Sequence, residues 1–320
     1  MKRMLILVIL VVGSLIHMGW GFYAHERINR MAVFTLPPEM IRFYKHHIQY
    51  LTEKAVNPDK RRYVIKEEAA RHYIDIDVYG DSAIYKMPRY WGDAVAKYGE
   101  DSLQAYGIVP WHINLMKFQL TKALLSKDVD RILRYSADIG HYIGDANVPL
   151  HTTENYNGQM TGQYGIHGFW ESRLPELFFE DYDLYVGKAE YLNNTQLAAW
   201  SAVEGAHAAL DSVLAFEKSL TEQFTEDKKY SFEERGASTV RVYSYEFSSE
   251  YHAMLNGMVE RQMRKAIKMV GDFWYTAWVD AGQPDLNELL EFEAAEEVLE
   301  TSDETPTYLR NHESGESTGE

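Results

Sequence analysis

The stretch His141-Tyr142-Ile143-Gly144-Asp145-Ala146-Asn147-Val148-Pro149-Leu150-His151 closes a run, beginning at Val129, in which apolar residues recur at helical spacing. Ile132, Leu133, Ser136 and Ile139 form one stripe, and Gly140 and Gly144 lie along it. His141 and Asp145 are four residues apart, so on a helix they project from one face one turn apart. The helix thus carries an imidazole and a carboxylate into the core. Pro149 ends it, and the turn that follows can bring His151 back over the same region.

Outward from this helix the apolar spacing stays helical rather than alternating nearly everywhere, with Pro or Gly at the joints. The fold class expected is all-α, a single multi-helix domain over residues 20–300 with no linker inside it. Helices are predicted over 24–34, 39–52, 67–75, 113–125, 129–145, 167–174, 195–220, 248–278 and 285–300, with Pro37-Pro38 separating the first two. Thr152 to Gly165 is polar and glycine-rich and reads as a loop beside the His/Asp helix.

The formal charge of −16 belongs mostly to one end. Residues 285–320 hold twelve acids against Arg310 alone, a balance of −11; Lys2 and Arg3 contribute +2 at the other end, leaving −7 for the chain between. Thr301 to Glu320 is expected to be a disordered acidic tail that solubilises rather than recognises. Lys2-Arg3 followed by an apolar run from Met4 to Ile16 has the profile of a signal peptide over residues 1–19 and is short for a membrane span. Export to a periplasm or the exterior is expected; an uncleaved N-terminal anchor is the disfavoured alternative. No Ala-x-Ala precedes Trp20, and with no cysteine in the chain neither disulfides nor a lipidated cysteine is available.

A second pair, His167-Gly168-Phe169-Trp170-Glu171, repeats the spacing of His141 and Asp145. One such pair is ordinarily an exposed ion pair on a helix. Two pairs with His151 between them put five potential ligands into 31 residues, which points to a metal, and imidazole with carboxylate is a set that suits zinc. Two further places offer ligands. Asn57-Pro58-Asp59 precedes Arg71-His72, with Asp75 and Asp77 as competing carboxylates, and His25 lies five residues after Trp20. A free α-amine has a pKa of about 7.7–8.0, so cleavage before Trp20 would create a terminal nitrogen that a metal can claim.

The combination His-x3-Asp-x5-His and His-x3-Glu resembles the superfamily of zinc-dependent phospholipases C and S1/P1 nucleases, over residues 20 to 171. The resemblance implies a secreted helical hydrolase with three zinc ions. It assigns Trp20 and His25 to one ion, Asp59, His72 and His141 to a second, and His151, His167 and Glu171 to a third, with Asp145 bridging two. Asp59 would double as base or orienter of the attacking water. The reaction implied is hydrolysis of a phosphodiester by zinc-activated water. The spacing from Trp20 to His25 is similar to that of the nucleases; Glu171, the short interval from His151 to His167 and the lack of cysteine resemble the phospholipases C. The preferred reading is cleavage of phospholipid headgroups with transient membrane-surface contact and no stable protein partner; the alternatives are a nuclease releasing 5′-nucleotides from single-stranded nucleic acid and a non-catalytic protein stapled by zinc.

The remaining candidates read more plainly. His46, His47, His207 and His252 lack partner spacing and belong to surface or core, and His112 to the core or behind a ligand. Tyr156, Tyr164, Phe169 and Trp170 flank ligands, as packing or as a substrate wall. Glu260, Arg261, Arg264 and Lys265 read as a solvated helix face.

Overall fold

A computed structural model describes residues 22–236 and 238–292. The architecture is all-α apart from one hairpin. Five helices build the core: α1 (Phe22–Ala32), α2 (Val109–Ser126), α3 (Val129–Ala146), α4 (Thr195–Thr221) and α5 (Met258–Asp280). Helix α3 touches each of the other four. Every residue from Ser136 to Ala146 is consequently buried, so the polar groups on this stretch can meet only one another or their neighbours.

Local chemistry sets the ends of these helices. The Asp128 carboxylate accepts the Arg131 backbone N–H at the start of α3 (3.1 Å), and Asn194 accepts that of Leu197 at the start of α4 (3.0 Å). Pro110 sits in the first turn of α2, where its missing N–H costs nothing. Close approach of α1 to α3 depends on two glycines. A Cβ at Gly140 would lie 1.8 Å from Asn29 Oδ1, and one at Gly144 would lie 2.8 Å from His25 Nδ1. Asn29 turns this proximity into a tie, donating to the Ala137 carbonyl (3.0 Å) and the Leu51 carbonyl (3.2 Å).

Several elements differ from the periodicity. The single helix expected over 248–278 is two, Tyr245–Met254 and α5, because Asn256 and Gly257 both adopt left-handed backbone (φ 48° and 74°). The expected helix over 39–52 divides at His47 into Pro38–His46 and Ile48–Glu53. The span 67–75 forms only a 3₁₀ turn, Lys66–Arg71. Of 285–300, the described part holds a 3₁₀ turn, Leu286–Leu289, and the rest lies outside the described residues, as do 1–19 and the tail 301–320. Trp91–Tyr98 and Glu100–Tyr106 add two helices that the sequence reading left unassigned.

The hairpin was likewise unassigned. Strands β1 (Tyr230–Arg235) and β2 (Ser238–Tyr243) pair antiparallel from Tyr230 with Tyr243 to Arg235 with Ser238, and Gly236 supplies positive φ (59°) at the turn. Its inner end stacks Tyr243 on Phe169 with centroids 3.8 Å apart. Arg173 reaches Glu233 with both Nη atoms (3.2 and 2.5 Å). The hairpin therefore braces the segment that carries His167 and Glu171. No helix among the described residues is long and apolar enough to cross a membrane.

Candidate metal centre

Seven elements deliver the cluster. Helix α1 brings His25, the helix Asn57–Arg61 brings Asp59, and the end of the 3₁₀ turn Lys66–Arg71 brings His72. Helix α3 and the 3₁₀ turn after Pro149 bring His141, Asp145 and His151. His167 closes a short helical turn, and Glu171 follows in a π-helical turn, Phe169–Arg173. Such wide turns are frequent at functional sites because they re-aim a side chain without ending the helix. His167 Nε2 and Glu171 Oε2 accordingly meet at 2.9 Å.

These side chains fall into three groups whose candidate ligand atoms lie within 4.8 Å of one another: His25, His141 and Asp145; Asp59, His72 and His141; and His151, His167 and Glu171. Asp145 is the hinge between them. Its Oδ2 is 2.9 Å from His72 Nδ1 and 3.2 Å from His141 Nε2, while its Oδ1 faces His25 Nε2 at 3.4 Å and His151 Nδ1 at 3.7 Å. Glu171 links the outer groups, with Oε1 3.2 Å from His25 Nε2 and Oε2 3.3 Å from His151 Nε2. Asp59 Oδ1 lies 3.7 Å from His72 Nδ1 and 3.8 Å from His141 Nε2.

Two imidazoles are fixed from behind. His141 Nδ1 donates to the Ala55 carbonyl (2.9 Å) and His151 Nδ1 to the His72 carbonyl (2.6 Å), which leaves each Nε2 lone pair for the cluster. His141 therefore has one free nitrogen, although it belongs to two of the groups. The carboxylate of Asp145, with an oxygen for each side, is the residue able to serve both.

The donor set fits a cation on two further grounds. His151 Nε2 and His167 Nε2 point at each other across 2.9 Å, and His141 Nε2 and His72 Nδ1 across 3.0 Å. Nitrogen atoms so paired converge as ligands do, with carboxylates beside them. The electrostatics agree. Burial opposes ionisation of Asp145 and of Glu171, yet neighbouring imidazoles, His141 at the first and His151 at the second, hold both carboxyls well below the usual range. Burial likewise opposes the charged form of His141, but Asp145 and Asp59 push its pKa up to about 9. A buried cluster that draws a proton this strongly is short of positive charge.

Access is uneven. The Asp59 side chain is 22% exposed, whereas His72, His141 and Asp145 around it are at most 2%. Asp59 is thus the side of the cluster that solvent reaches. Its carboxyl is lowered against the effect of burial by His141, His72 and Arg62.

Of the other sequence candidates, Trp20 lies outside the described residues. Asp77 does not join the cluster: it accepts from the Thr153 hydroxyl (2.6 Å) and the Glu154 backbone N–H (3.0 Å), tying down the loop between the ligand segments. Asp75 is buried but belongs to none of the three groups. Phe169 and Trp170 are interior packing, while the Tyr156 ring stands edge-on to His167 with centroids 6.1 Å apart and Tyr164 is exposed. His112 packs its ring on Tyr142, His207 pairs with Thr152, His252 with Tyr182, and His47 is buried against Phe43.

The fold and site together define an all-helical protein whose central helix gathers five histidines and three carboxylates into one buried, metal-type cluster. No family model matches the chain, and no curated protein does. Among solved structures the chain is similar to the alpha toxin from Clostridium absonum, with 12% identity, a TM-score of 0.47 and coverage of 83% of this chain and 65% of that one. It is similar also to Clostridium perfringens alpha-toxin from avian strain SWCP, with 13% identity, a TM-score of 0.47 and coverage of 81% and 64%. The chain thus spans just under two thirds of the length of these toxins.

Proposed function

We propose that the protein is an exported zinc-dependent phosphodiester hydrolase of the phospholipase C type, acting on phospholipid headgroups. The observation that carries this reading is the meeting of the three ligand groups at Asp145, with one edge open at Asp59. In it Asp59, His72 and His141 would hold one zinc, His151, His167 and Glu171 a second, and His25 with the amine and carbonyl of Trp20 a third. Asp145, which offers an oxygen to imidazoles on each side, would be the residue shared between two of them. The domain runs from residue 20 to 300, between a signal peptide and an acidic tail.

Zinc supplies Lewis acidity, lowering the pKa of water and offsetting charge on the phosphoryl oxygens. The chain supplies position and a proton acceptor. Asp59, ionised and at the open edge, takes the proton of the water as its oxygen bonds to phosphorus; the bond to the alcohol oxygen breaks on the opposite side, and that oxygen keeps the bonding pair and takes a proton from solvent. The buried carboxylates stay ionised and fixed throughout. A closed structural site would leave no edge for substrate, so the partial exposure of Asp59 supports catalysis over a zinc staple.

The test is hydrolysis by the purified mature protein, with zinc and pH matched, of phosphatidylcholine against single-stranded DNA and RNA. Release of phosphocholine far faster than of nucleotides is expected. Release of 5′-mononucleotides without phosphocholine would make it a nuclease, and inertness toward both, with zinc bound, would make the metal a staple.

A further inference from the structure

His141 and His151 each turn Nδ1 outward to a backbone carbonyl and Nε2 toward the cluster. His72 is reversed. Its Nδ1 faces inward, 2.9 Å from Asp145 and 3.0 Å from His141, while its Nε2 points away, buried and without a hydrogen bond. Glu68 presents a carboxylate to that nitrogen, with Oε1 3.8 Å off. Glu68 is itself fully buried and comes from the same 3₁₀ turn, four residues earlier.

We propose that Glu68 is the positioning residue of His72: its carboxylate accepts the Nε2–H and so presents the Nδ1 lone pair to the metal. This rests on the zinc reading above. A buried imidazole N–H left without an acceptor is costly, and a closure of about 1 Å makes this contact a hydrogen bond. The carboxylate is held where it can do this. Arg71 Nη1 binds its Oε2 at 2.6 Å, the Tyr142 hydroxyl donates to Oε1, and Arg61 Nη2 stands 3.7 Å from the same oxygen. Arg61 is shared with Asp138 at 2.8 Å, which ties the assembly to α3 one turn before His141. The Tyr142 ring meets His72 edge-on, with centroids 5.4 Å apart, and limits its rotation. A carboxylate behind a ligating imidazole fixes its tautomer and makes it a better donor.

The rival account is that Glu68 only neutralises Arg61 and Arg71. Two variants of the full mature chain separate them: Glu68→Gln, which removes the charge behind His72, and Asp138→Asn, which breaks the same network without facing that ring. Zinc affinities are read by competition with a chelator, and the His72 tautomer by nitrogen–proton correlation spectra of the zinc-loaded unmutated protein. The proton should sit on Nε2, Glu68→Gln should weaken one zinc about 10–100-fold and spare the others, and Asp138→Asn should lower the melting temperature while weakening that same zinc by a clearly smaller factor. Wild-type affinities in Glu68→Gln, an equal loss in Asp138→Asn, or a His72 proton on Nδ1 overturns the proposal. Where Glu68→Gln fails to fold, the spectra still test the proposal, because a His72 proton on Nδ1 overturns it without any variant. Unmutated protein that binds no zinc overturns the metal reading itself, which is a different result.

Discussion

Asp145 shows what a single side chain contributes. It is 1% exposed and faces four imidazoles, two at each oxygen. Asp145→Asn keeps the shape but removes the negative charge and leaves one acceptor oxygen in place of two, so the variant should lose at least one zinc relative to the unmutated protein and about a hundredfold or more in kcat/KM. Elemental analysis with an activity assay checks this, and full zinc content in the variant refutes the bridging role. His47 makes a separate prediction, away from the cluster. Burial, with His46 beside it, lowers its pKa from 6.5 to about 4. A depressed folded pKa means that between these values the unfolded chain binds the proton that the folded one refuses. The stability His47 contributes is thus fully present above about pH 6.5 and lost as pH falls toward about 4. Urea unfolding of the unmutated protein and of His47→Gln, both stripped of metal, should give curves that converge over this window as it acidifies. Parallel curves across it would show that the imidazole takes its proton as readily folded as unfolded.

At the scale of elements, the site depends on how closely α1 approaches α3. Gly140 permits it, since a methyl group there would overlap Asn29 and displace the side chain that ties Ala137 to Leu51. Gly140→Ala would gain helix propensity on an exposed surface. Here it should destabilise by about 1–3 kcal/mol, because the overpacked contact is interior. Chemical denaturation measures this, and a neutral or stabilising result would mean that the helices separate at little cost. His25 rides on α1, so the same variant should also weaken metal binding in the His25 group. The hairpin works in the opposite direction: Arg173 with Glu233 and Phe169 on Tyr243 hold the π-helical turn that aims Glu171.

For the whole molecule, a buried cluster of this composition is a liability unless a cation occupies it. Three carboxylates and five imidazoles share an interior with little access to water. Ligands that bind only the folded state stabilise it by mass action, about 4 kcal/mol for one site at a thousandfold excess over Kd. Chelation should therefore lower the melting temperature by about 10 °C or more, with recovery on adding zinc but not magnesium, whose preference is for oxygen ligands. A melting curve indifferent to chelator would show that the ion pairs alone satisfy the site. The charge of the cluster is local to it, and the balance of −16 for the chain owes most to residues 285–320, so it says little about the substrate.

The sequence by itself determined the all-α class and the helix that carries His141 and Asp145, because a 3.6-residue period and the four-residue spacing are local properties of the chain. Helical spacing also singled out His141 with Asp145 and His167 with Glu171, with His151 between the pairs, whereas His25, Asp59 and His72 took their places from the family resemblance. Tertiary structure decided what depends on partners distant in sequence. It brought Asp59 beside His72 and His141 and set Asp77 under the loop at Thr153, a difference that spacing alone could not show. It formed the hairpin, whose strands of six residues carry a weak alternation that gains its meaning from Phe169 and Arg173, more than fifty residues away. It also set Glu68 behind His72. In the sequence Glu68 is one of two adjacent acids in a polar run, and only burial between Arg61, Arg71 and Tyr142 separates it from a solvated charge.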